Sequence, residues 1–226
     1  TNSEWGAGTL VQTTVASSGD GALVLDSFTT SWQISFHDAH YIFNNNANGN
    51  EVNVQGTIGY MVSNYNGQIP NFTVLDTTDL NQIFSIATLS LNSNAYDIAV
   101  AGNYAYIATA DQQNELKTID ITNPASPSLV NEDNLAGPKN AFSIAVNGDR
   151  LYIAQEKNNN EEFHIFNIQN PADPVWMASR EISADVYDLT VQNGIAYLAL
   201  SNGGNSLLIL DVSDPNTLQQ LSSFSV

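Results

Sequence analysis

One sequence pattern occurs four times along this chain at a nearly constant interval. Four glycines are spaced 46 residues apart, and each is followed by a tyrosine after three or four residues. Self-similarity with a period of about 20 to 50 residues is typical of repeat architectures, in which each copy is one supersecondary unit. The glycines are Gly56, Gly102, Gly148 and Gly194, and the tyrosines are Tyr60, Tyr106, Tyr152 and Tyr197.

Each copy is predicted to be β-structure throughout. Apolar residues such as Val52 and Val54 alternate with other residues before the glycine, with the period of two that a pleated strand requires. The glycine turn and the strand around the tyrosine predict a hairpin. A third strand, a turn rich in Asp, Asn and Pro, and a weaker fourth strand follow. No stretch combines a sustained helical period with helix caps, so we expect few helices. The third strands begin at Phe72, Leu116, Phe163 and Leu207.

Four short antiparallel strands in each unit of about 40 to 50 residues are typical of a propeller blade, which is stable only when stacked on its neighbours. The third strands, the V-x-G-x-x-x-Y hairpins and the N-P-A-x-P segments together resemble the LVIVD-repeat family of β-propeller proteins. The predicted fold class is therefore all-β, a β-propeller-type array of four-stranded antiparallel blades. The predicted blades are residues 47–91, 92–137, 138–183 and 184–226.

Residues 1–46 are predicted to form an N-terminal β segment outside the four blades. Part of this segment aligns with the outer strands of the fourth copy, so we interpret it as a half-blade or as strands for closure or strand exchange. Three alternatives follow for the ring: a small ring with a covered edge, a piece of a larger ring, or a ring completed by a neighbouring subunit. Incomplete blades and exposed edges favour strand addition between chains, which makes a homo-oligomer one of the expected assemblies.

The charge and composition restrict the partners. Five Lys and Arg oppose 23 Asp and Glu, and the formal charge of −18 repels phosphate backbones and anionic lipid headgroups. Nucleic acid is therefore not expected as a partner, and no apolar run is long enough for membrane insertion. The absence of Cys, the low Lys content and the abundant Asn, Ser and Thr favour an extracellular or cell-surface location.

The residues that open the first strand of each copy are the first candidate site. Three of them, Glu51, Asp97 and Asp188, are acidic, and the fourth is Ser143. The innermost strands of a propeller line its central channel, so these side chains could hold a hard cation such as Ca²⁺. The alternative is structural: each carboxylate accepts backbone N–H bonds from the adjacent loop. We expect no other cofactor.

Asp or Asn residues three apart also follow each third strand, as in Asp76 and Asp79. This spacing predicts Asx turns rather than a calcium loop. The first copy has Leu80 where the others have Pro124, Pro171 and Pro215, which should weaken its turn without changing the fold.

Loops between the second and third strands are the second candidate site, because binding residues are often carried on loops of a rigid scaffold. They should share one rim with the connections between blades and present an acidic face. The alternative is that they are solvated linkers. The residues predicted to contact a ligand or partner are Tyr65, Asp111, Glu115, Glu156, Glu161 and Glu162.

No sequence motif indicates catalysis. His37 and His40 lack a third metal ligand nearby, His164 is interpreted as incidental, and no nucleophile elbow, zinc-protease motif or phosphate-binding loop is present.

We therefore expect a non-enzymatic extracellular or cell-surface module that binds a protein or glycan, or functions in adhesion. The second hypothesis is a structural subunit of a self-assembling filament or layer that uses the N-terminal strands. The third is a glycan-active enzyme, which an inner carboxylate with a pKa far from its ordinary value would favour.

Overall fold

The computed structural model describes residues 48–65, 67, 70–202 and 204–225, together with four two-residue strands nearer the N-terminus. These four short strands form two antiparallel ribbons, in which β1 pairs with β2 and β3 pairs with β4. Apart from these strands, the predicted half-blade of residues 1–46 and the pair His37 and His40 lie outside the described residues. The short strands are β1 (Trp5–Gly6), β2 (Thr9–Leu10), β3 (Val24–Leu25) and β4 (Ile34–Ser35).

The rest of the described chain forms four antiparallel sheets, each made of four consecutive strands. Blade 1 contains β5 (Gly49–Gln55), β6 (Ile58–Ser63), β7 (Phe72–Asp76) and β8 (Phe84–Leu89). Blade 2 contains β9 (Ala95–Ala101), β10 (Tyr104–Thr109), β11 (Leu116–Asp120) and β12 (Ser128–Asp133). Blade 3 contains β13 (Ala141–Asn147), β14 (Arg150–Gln155), β15 (Phe163–Asn167) and β16 (Val175–Arg180). Blade 4 contains β17 (Val186–Gln192), β18 (Ile195–Asn202), β19 (Asn205–Asp211) and β20 (Gln219–Phe224).

This arrangement confirms the predicted fold class. The first strands β5, β9, β13 and β17 contact one another in series, so they form the inner side of the array. The fourth strands lie on the outer side, where most of their side chains are exposed. The part of the chain that the structure describes contains no helix long and apolar enough to cross a bilayer.

Three apolar cores hold the blades together, one at each junction. Each core combines the facing sides of two successive blades, as expected for units that cannot bury their apolar faces alone. The core between blades 3 and 4, for example, contains Tyr152 and Phe163 from one blade and Val186 and Leu198 from the next. The fold is thus stabilised mainly between repeats rather than within them.

The repeated glycines are explained by the two-residue hairpin turns. Gly56, Gly102 and Gly148 occupy the first turn position with φ of 65°, 57° and 64°, which is the pattern of a type II′ turn. In blade 4 the turn is Asn193-Gly194 with φ of 52° and 76°, the pattern of a type I′ turn. The glycine therefore moves to the second turn position, and its tyrosine follows one residue sooner than in the other blades.

The predicted Asx turns are confirmed after all four third strands. The Asp76 carboxylate accepts the backbone N–H of Thr78 at 2.8 Å, and the corresponding side chain in each other blade accepts an N–H two residues on. A second Asx turn follows at Asp79, whose carboxylate accepts the N–H of Asn81 at 2.9 Å although Leu80 replaces the proline. The side chain therefore forms this turn without the help of a proline ring.

Candidate ligand-binding rim

A β-bulge lies at the start of the inner strand in every blade. The register between the first and second strands shifts by one residue there, so one residue of the inner strand has no partner across the ladder. Bulges bend a strand and redirect a side chain, and they are frequent beside functional sites. The bulged residues are Asn50, Tyr96, Phe142 and Tyr187.

Three of the bulged residues form a continuous aromatic row. The ring centroids of Tyr96 and Phe142 lie 5.3 Å apart in an edge-to-face arrangement. Those of Phe142 and Tyr187 also lie 5.3 Å apart, with a tilt of 35°. Tyr96 and Phe142 are half-buried, whereas Tyr187 is 55% exposed. We call these three residues the aromatic row; it runs along the inner side of blades 2 to 4.

A polar row lies next to the aromatic row, one residue further along each inner strand. The Ser143 hydroxyl lies 2.9 Å from a carboxylate oxygen of Asp97 and 3.3 Å from one of Asp188. The same Asp97 oxygen accepts the backbone N–H of Ile144 at 2.8 Å, which joins the inner strands of blades 2 and 3. The structure thus brings Asp97, Ser143 and Asp188 together, as the sequence predicted for residues near the central channel.

These contacts are structural, as in the alternative, but the donors lie on the inner strands and not in the adjacent loops. Each carboxylate accepts from its own strand, and Asp97 and Asp188 also accept from β13 of the neighbouring blade. Asp97 and Asp188 each also accept the N–H of the residue that follows them. Glu51 is exposed and accepts the N–H of Val52 at 3.0 Å. Burial above all, and the Glu51 charge to a lesser degree, raise the pKa of Asp97. Across the described residues no group of three His, Asp or Glu side chains is arranged to hold a metal ion.

The loops between second and third strands share a rim with the connections between blades, as predicted. Backbone N–H groups that follow the second strands donate to carbonyls that precede the inner strands, as from Ala110 to Asn94 at 2.8 Å and from Glu156 to Asn140 at 2.8 Å. We call this end of the array the rim. The aromatic row, at the start of the inner strands, lies at this end.

Four of the six predicted loop residues have exposed or half-buried side chains. The backbone N–H of Tyr65 donates to the Asn94 side chain at 2.8 Å. Two acidic side chains are held by lysines: Asp111 lies 3.0 Å from Lys117, and Glu156 lies 3.4 Å from Lys139. Glu161 borders a separate cleft on the outer side of the array.

The prediction that Glu115 and Glu162 contact a ligand or partner is wrong, because both side chains are fully buried and turn away from solvent. One Glu162 oxygen accepts the backbone N–H groups of Ile182 and Ser183 at 2.7 and 3.0 Å. One Glu115 oxygen accepts that of Leu135 at 2.8 Å. Each carboxylate therefore fixes the connection to the next blade and is not available to a ligand.

Asn71 has the same role in blade 1. Its side-chain oxygen accepts the N–H of Leu91 at 3.0 Å, and its amide donates to the carbonyls of Ser63 and Ser93. Asn71, Glu115 and Glu162 thus share one pattern: each side chain accepts the backbone N–H of the residue 20 positions later in the sequence. Asn71-Phe72-Thr73 fits the Asn-x-Thr sequence for N-glycosylation, but this Asn side chain is buried in the fold.

A small notch opens at the rim between blades 3 and 4, beside the aromatic row. Its volume is about 140 Å³, and Lys157, Asp185 and Ser201 are among the residues that line it. The Asp185 carboxylate accepts the Ser201 hydroxyl at 2.7 Å and the Lys157 backbone N–H at 2.8 Å. The Ser201 hydrogen bond is the main reason that the pKa of Asp185 is lowered, and a Tyr187 hydrogen bond also contributes. Donors and acceptors thus lie directly next to an exposed aromatic ring.

The aromatic row was not predicted from the sequence. The signal was present, because the aligned position immediately before Asp97, Ser143 and Asp188 is aromatic in each case. An alternating strand would direct these residues away from the polar row. The bulge changes that geometry, and it interrupts the period-two pattern on which the prediction was based.

Sequence comparison finds a match to one family. The family model for the LVIVD repeat matches residues 93–133, 138–180 and 184–225, which cover more than half of the chain. A search of curated proteins finds no match.

Structure comparison finds similar folds at low sequence identity. The periplasmic gluconolactonase PpgL of Pseudomonas aeruginosa has a TM-score of 0.66 and 13% identity, covering 91% of this chain and 63% of its own. A protein from Lactobacillus plantarum has a TM-score of 0.67 and 10% identity, covering 92% of this chain and 66% of its own. The computationally designed Ika4 protein has a TM-score of 0.58 and 9% identity, covering 76% of this chain and 95% of its own. The chain thus spans less than two thirds of the length of the two natural proteins, and the likeness shows the fold alone.

Proposed function

Because the chain belongs to the LVIVD-repeat family and folds as an array of propeller blades, we propose that it is a non-enzymatic binding module for a neutral glycan. The ligand lies along the aromatic row at the rim. Binding residues are commonly presented on loops and strand ends of a rigid β scaffold, and the stacked blades supply such a scaffold. This module is located outside the cell or on its surface, in keeping with a composition poor in Lys and free of Cys.

The aromatic row is the observation that carries this proposal. Aromatic rings bury a large apolar surface with little loss of side-chain freedom, and their faces suit the C–H surface of a sugar ring. The side chain of the exposed Tyr187 hydrogen-bonds the Asp185 carboxylate, which also accepts the Ser201 hydroxyl, and these polar groups can bind sugar hydroxyl groups. A few polar groups around an apolar surface are typical of sites that orient a small ligand.

The charge of the protein favours a neutral ligand over an anionic one. The formal charge is −18, and Lys157 is the basic residue that lines the notch. An anionic polysaccharide would lose electrostatic energy on approach to this surface. A neutral glycan meets no such barrier, and its hydroxyl groups can donate to carboxylates as well as accept from the lysine.

Replacement of Tyr187 by Ala is expected to weaken glycan binding at least tenfold without loss of the fold. The ring is 55% exposed, so its loss removes ligand contact more than core packing. Binding is measured by isothermal titration of a panel of neutral hexasaccharides, including glucans, mannans and galactans. Phe84→Ala, which removes a ring of similar exposure (49%) from the first blade, is the matched control. If no neutral oligosaccharide binds, or if both variants bind as the unmodified protein does, the proposal is wrong.

Self-assembly is a second candidate function, favoured by the apolar faces at the two ends of the array. Val52 and Val54 on the inner strand of blade 1 are 50% and 57% exposed. At the other end Tyr197 is 38% exposed, whereas Tyr152, which holds the same repeat position inside the array, is only 2% exposed. These faces repeat the two sides of an internal blade junction, so a second copy of the chain is the occupant that fits them.

Tyr197→Glu is expected to abolish an oligomer formed through these faces, because it places a charge in an apolar junction. Light scattering on the eluate of a size-exclusion column measures the mass. A strictly monomeric unmodified protein at 100 µM or so would exclude this candidate, since junctions of about 1,000 Å² or more form stable complexes. The part that the N-terminal strands take in such an assembly lies outside the described residues.

A further inference from the structure

A cleft of about 520 Å³ lies on the outer side of the array, between the end of β12 and strands β15 and β16. It shares no lining residue with the notch beside the aromatic row. Its walls combine two kinds of surface, one apolar and one rich in hydrogen-bond acceptors. The apolar wall is formed by Leu135, Phe166 and Trp176. The acceptor wall includes Asp133, Glu161 and His164.

Trp176 provides an exposed ring in this cleft. The residue is 58% exposed, and it is paired across the sheet with the buried Phe166. Exposed tryptophans contribute a large aromatic face, which attracts cations through its quadrupole as well as apolar groups through burial. The ring therefore suits a ligand with both a positive charge and an apolar part.

His164 lines the cleft as a neutral imidazole. The residue is 1% exposed, and burial lowers its pKa to about 4, so the imidazole is neutral at physiological pH. Its Nε2 lies 3.0 Å from the Glu161 carbonyl oxygen, which can only accept a hydrogen bond. Nε2 consequently carries the proton, and Nδ1 is the unprotonated nitrogen with a lone pair.

Within the part of the chain that the structure describes, the carboxylates around the cleft have no cationic partner. The ion pairs found among the described residues involve Lys117 and Lys139, and none includes Asp133, Glu161 or Asp173. The Asp133 carboxylate accepts an amide N–H from Asn131 at 2.8 Å, which satisfies one of its oxygens. A half-buried carboxylate without a counter-ion attracts a cationic ligand, whose charge would stabilise the ionised form of the carboxylate.

From this geometry we propose that the cleft binds an organic cation with a primary ammonium group and a short apolar stem. The ammonium group donates hydrogen bonds to Asp133, Glu161 and the His164 Nδ1. The stem lies against the Trp176 ring and Leu135. The three acceptors match the three N–H donors of an ammonium group, and the aromatic wall shields the stem from water.

The pH dependence of Asp133 supports this arrangement. Burial, with a smaller contribution from the Asp173 charge, raises the pKa of Asp133 to about 6. Below that value the carboxyl is neutral, so the affinity for the cation falls as the pH falls through 6. The titratable and charged groups around Asp133 are Glu132 with its partner Lys117, Asp173 on the turn after β15, His164 on β15 and Glu161.

The test is titration of the protein with n-butylammonium at pH 7.5, followed through the indole N–H signal of Trp176 in ¹H–¹⁵N spectra. We expect saturable binding with a Kd on the order of 1 mM, as befits a ligand with few heavy atoms. The neutral isostere n-butanol is expected to bind at least tenfold more weakly. Affinity should fall several-fold between pH 7.5 and pH 5.

Two variants locate the site. Asp133→Asn and Trp176→Ala are each expected to weaken n-butylammonium binding at least tenfold; for Trp176→Ala the readout is the heat of binding. Asp149→Asn removes a carboxylate from the β13–β14 hairpin and should leave the affinity unchanged. Asp133→Asn should not lower the melting temperature at pH 7.5, because the ionised carboxylate is disfavoured in the folded protein. Equal affinity in all variants, equal binding of n-butanol, or no saturable binding would each overturn the proposal.

Discussion

Replacement of Glu162 by Ala is expected to lower the free energy of unfolding by about 4 kcal/mol. The carboxylate is fully buried and accepts three backbone N–H groups, those of Asn158, Ile182 and Ser183. Alanine would leave these donors without their acceptor and would leave a cavity where the side chain had been. The connection from blade 3 to blade 4 would then lose its main polar anchor. Urea denaturation followed by circular dichroism measures the change.

Two further substitutions make this result specific. Glu162→Gln keeps the size and one acceptor oxygen, so it should cost roughly half as much as Glu162→Ala. Glu161→Ala, one residue away and only half-buried, should change the stability by no more than about 0.5 kcal/mol. A loss of less than about 1 kcal/mol for Glu162→Ala would show that the carboxylate does not hold the connection.

Replacement of Phe163 by Ala is expected to cost 3–5 kcal/mol or so, the largest effect of a single truncation in the core between blades 3 and 4. The side chain is fully buried and its ring stacks on Tyr152 with a centroid distance of 6.2 Å. Its other neighbours in this core include Val186 and Leu198 of the next blade. Because the blades are stabilised mainly by their junctions, both blades should lose stability together.

Native-state hydrogen exchange measures this coupling. In Phe163→Ala, amides of β14 and β18 should lose protection to a similar extent. Phe224→Ala is the matched control, because this ring on the outer strand of blade 4 is 62% exposed and should contribute about 0.5 kcal/mol or less. Loss of protection in blade 3 alone would contradict stabilisation between repeats.

Strand order, turns and stacking could be predicted because each depends on a short local signal repeated several times. Alternation of apolar residues indicated the strands, and the turn glycines fixed the hairpins at Gly56, Gly102 and Gly148. The Asx turns follow from Asp and Asn side chains that bind the backbone two residues on, a local preference that tertiary contacts do not override here.

The candidate site was less predictable, because it depends on which face of a strand a residue occupies and on how deeply it is buried. Glu115 and Glu162 were expected at the surface because they lie in the loops between second and third strands, yet the connections to the next blade cover both. The cost of burying these two carboxylates is offset by hydrogen bonds from backbone N–H groups 20 residues away in the sequence. The bulges that place Tyr96, Phe142 and Tyr187 side by side at the rim likewise arise from pairing with the second strand, which a single strand does not reveal.

His164 gives a similar lesson. His164 holds the repeat position of Lys117 and Leu208, and from the sequence it was expected to have no functional role. In the structure Lys117 is buried with two acidic partners, whereas His164 faces a cleft with unpaired carboxylates. Lys117 and His164 thus take chemically different roles at the same repeat position, because each has different neighbours.

The measurement that most directly tests the proposed function is ¹H–¹⁵N chemical-shift mapping during titration with the neutral hexasaccharide that binds most tightly. The account predicts that the largest shifts occur at the amides of the aromatic row and at Asp185 and Ser201 beside it. Amides of the outer strands β8, β12, β16 and β20 should remain unchanged. Shifts confined to those outer strands, or shifts that persist undiminished in Tyr187→Ala, would contradict it.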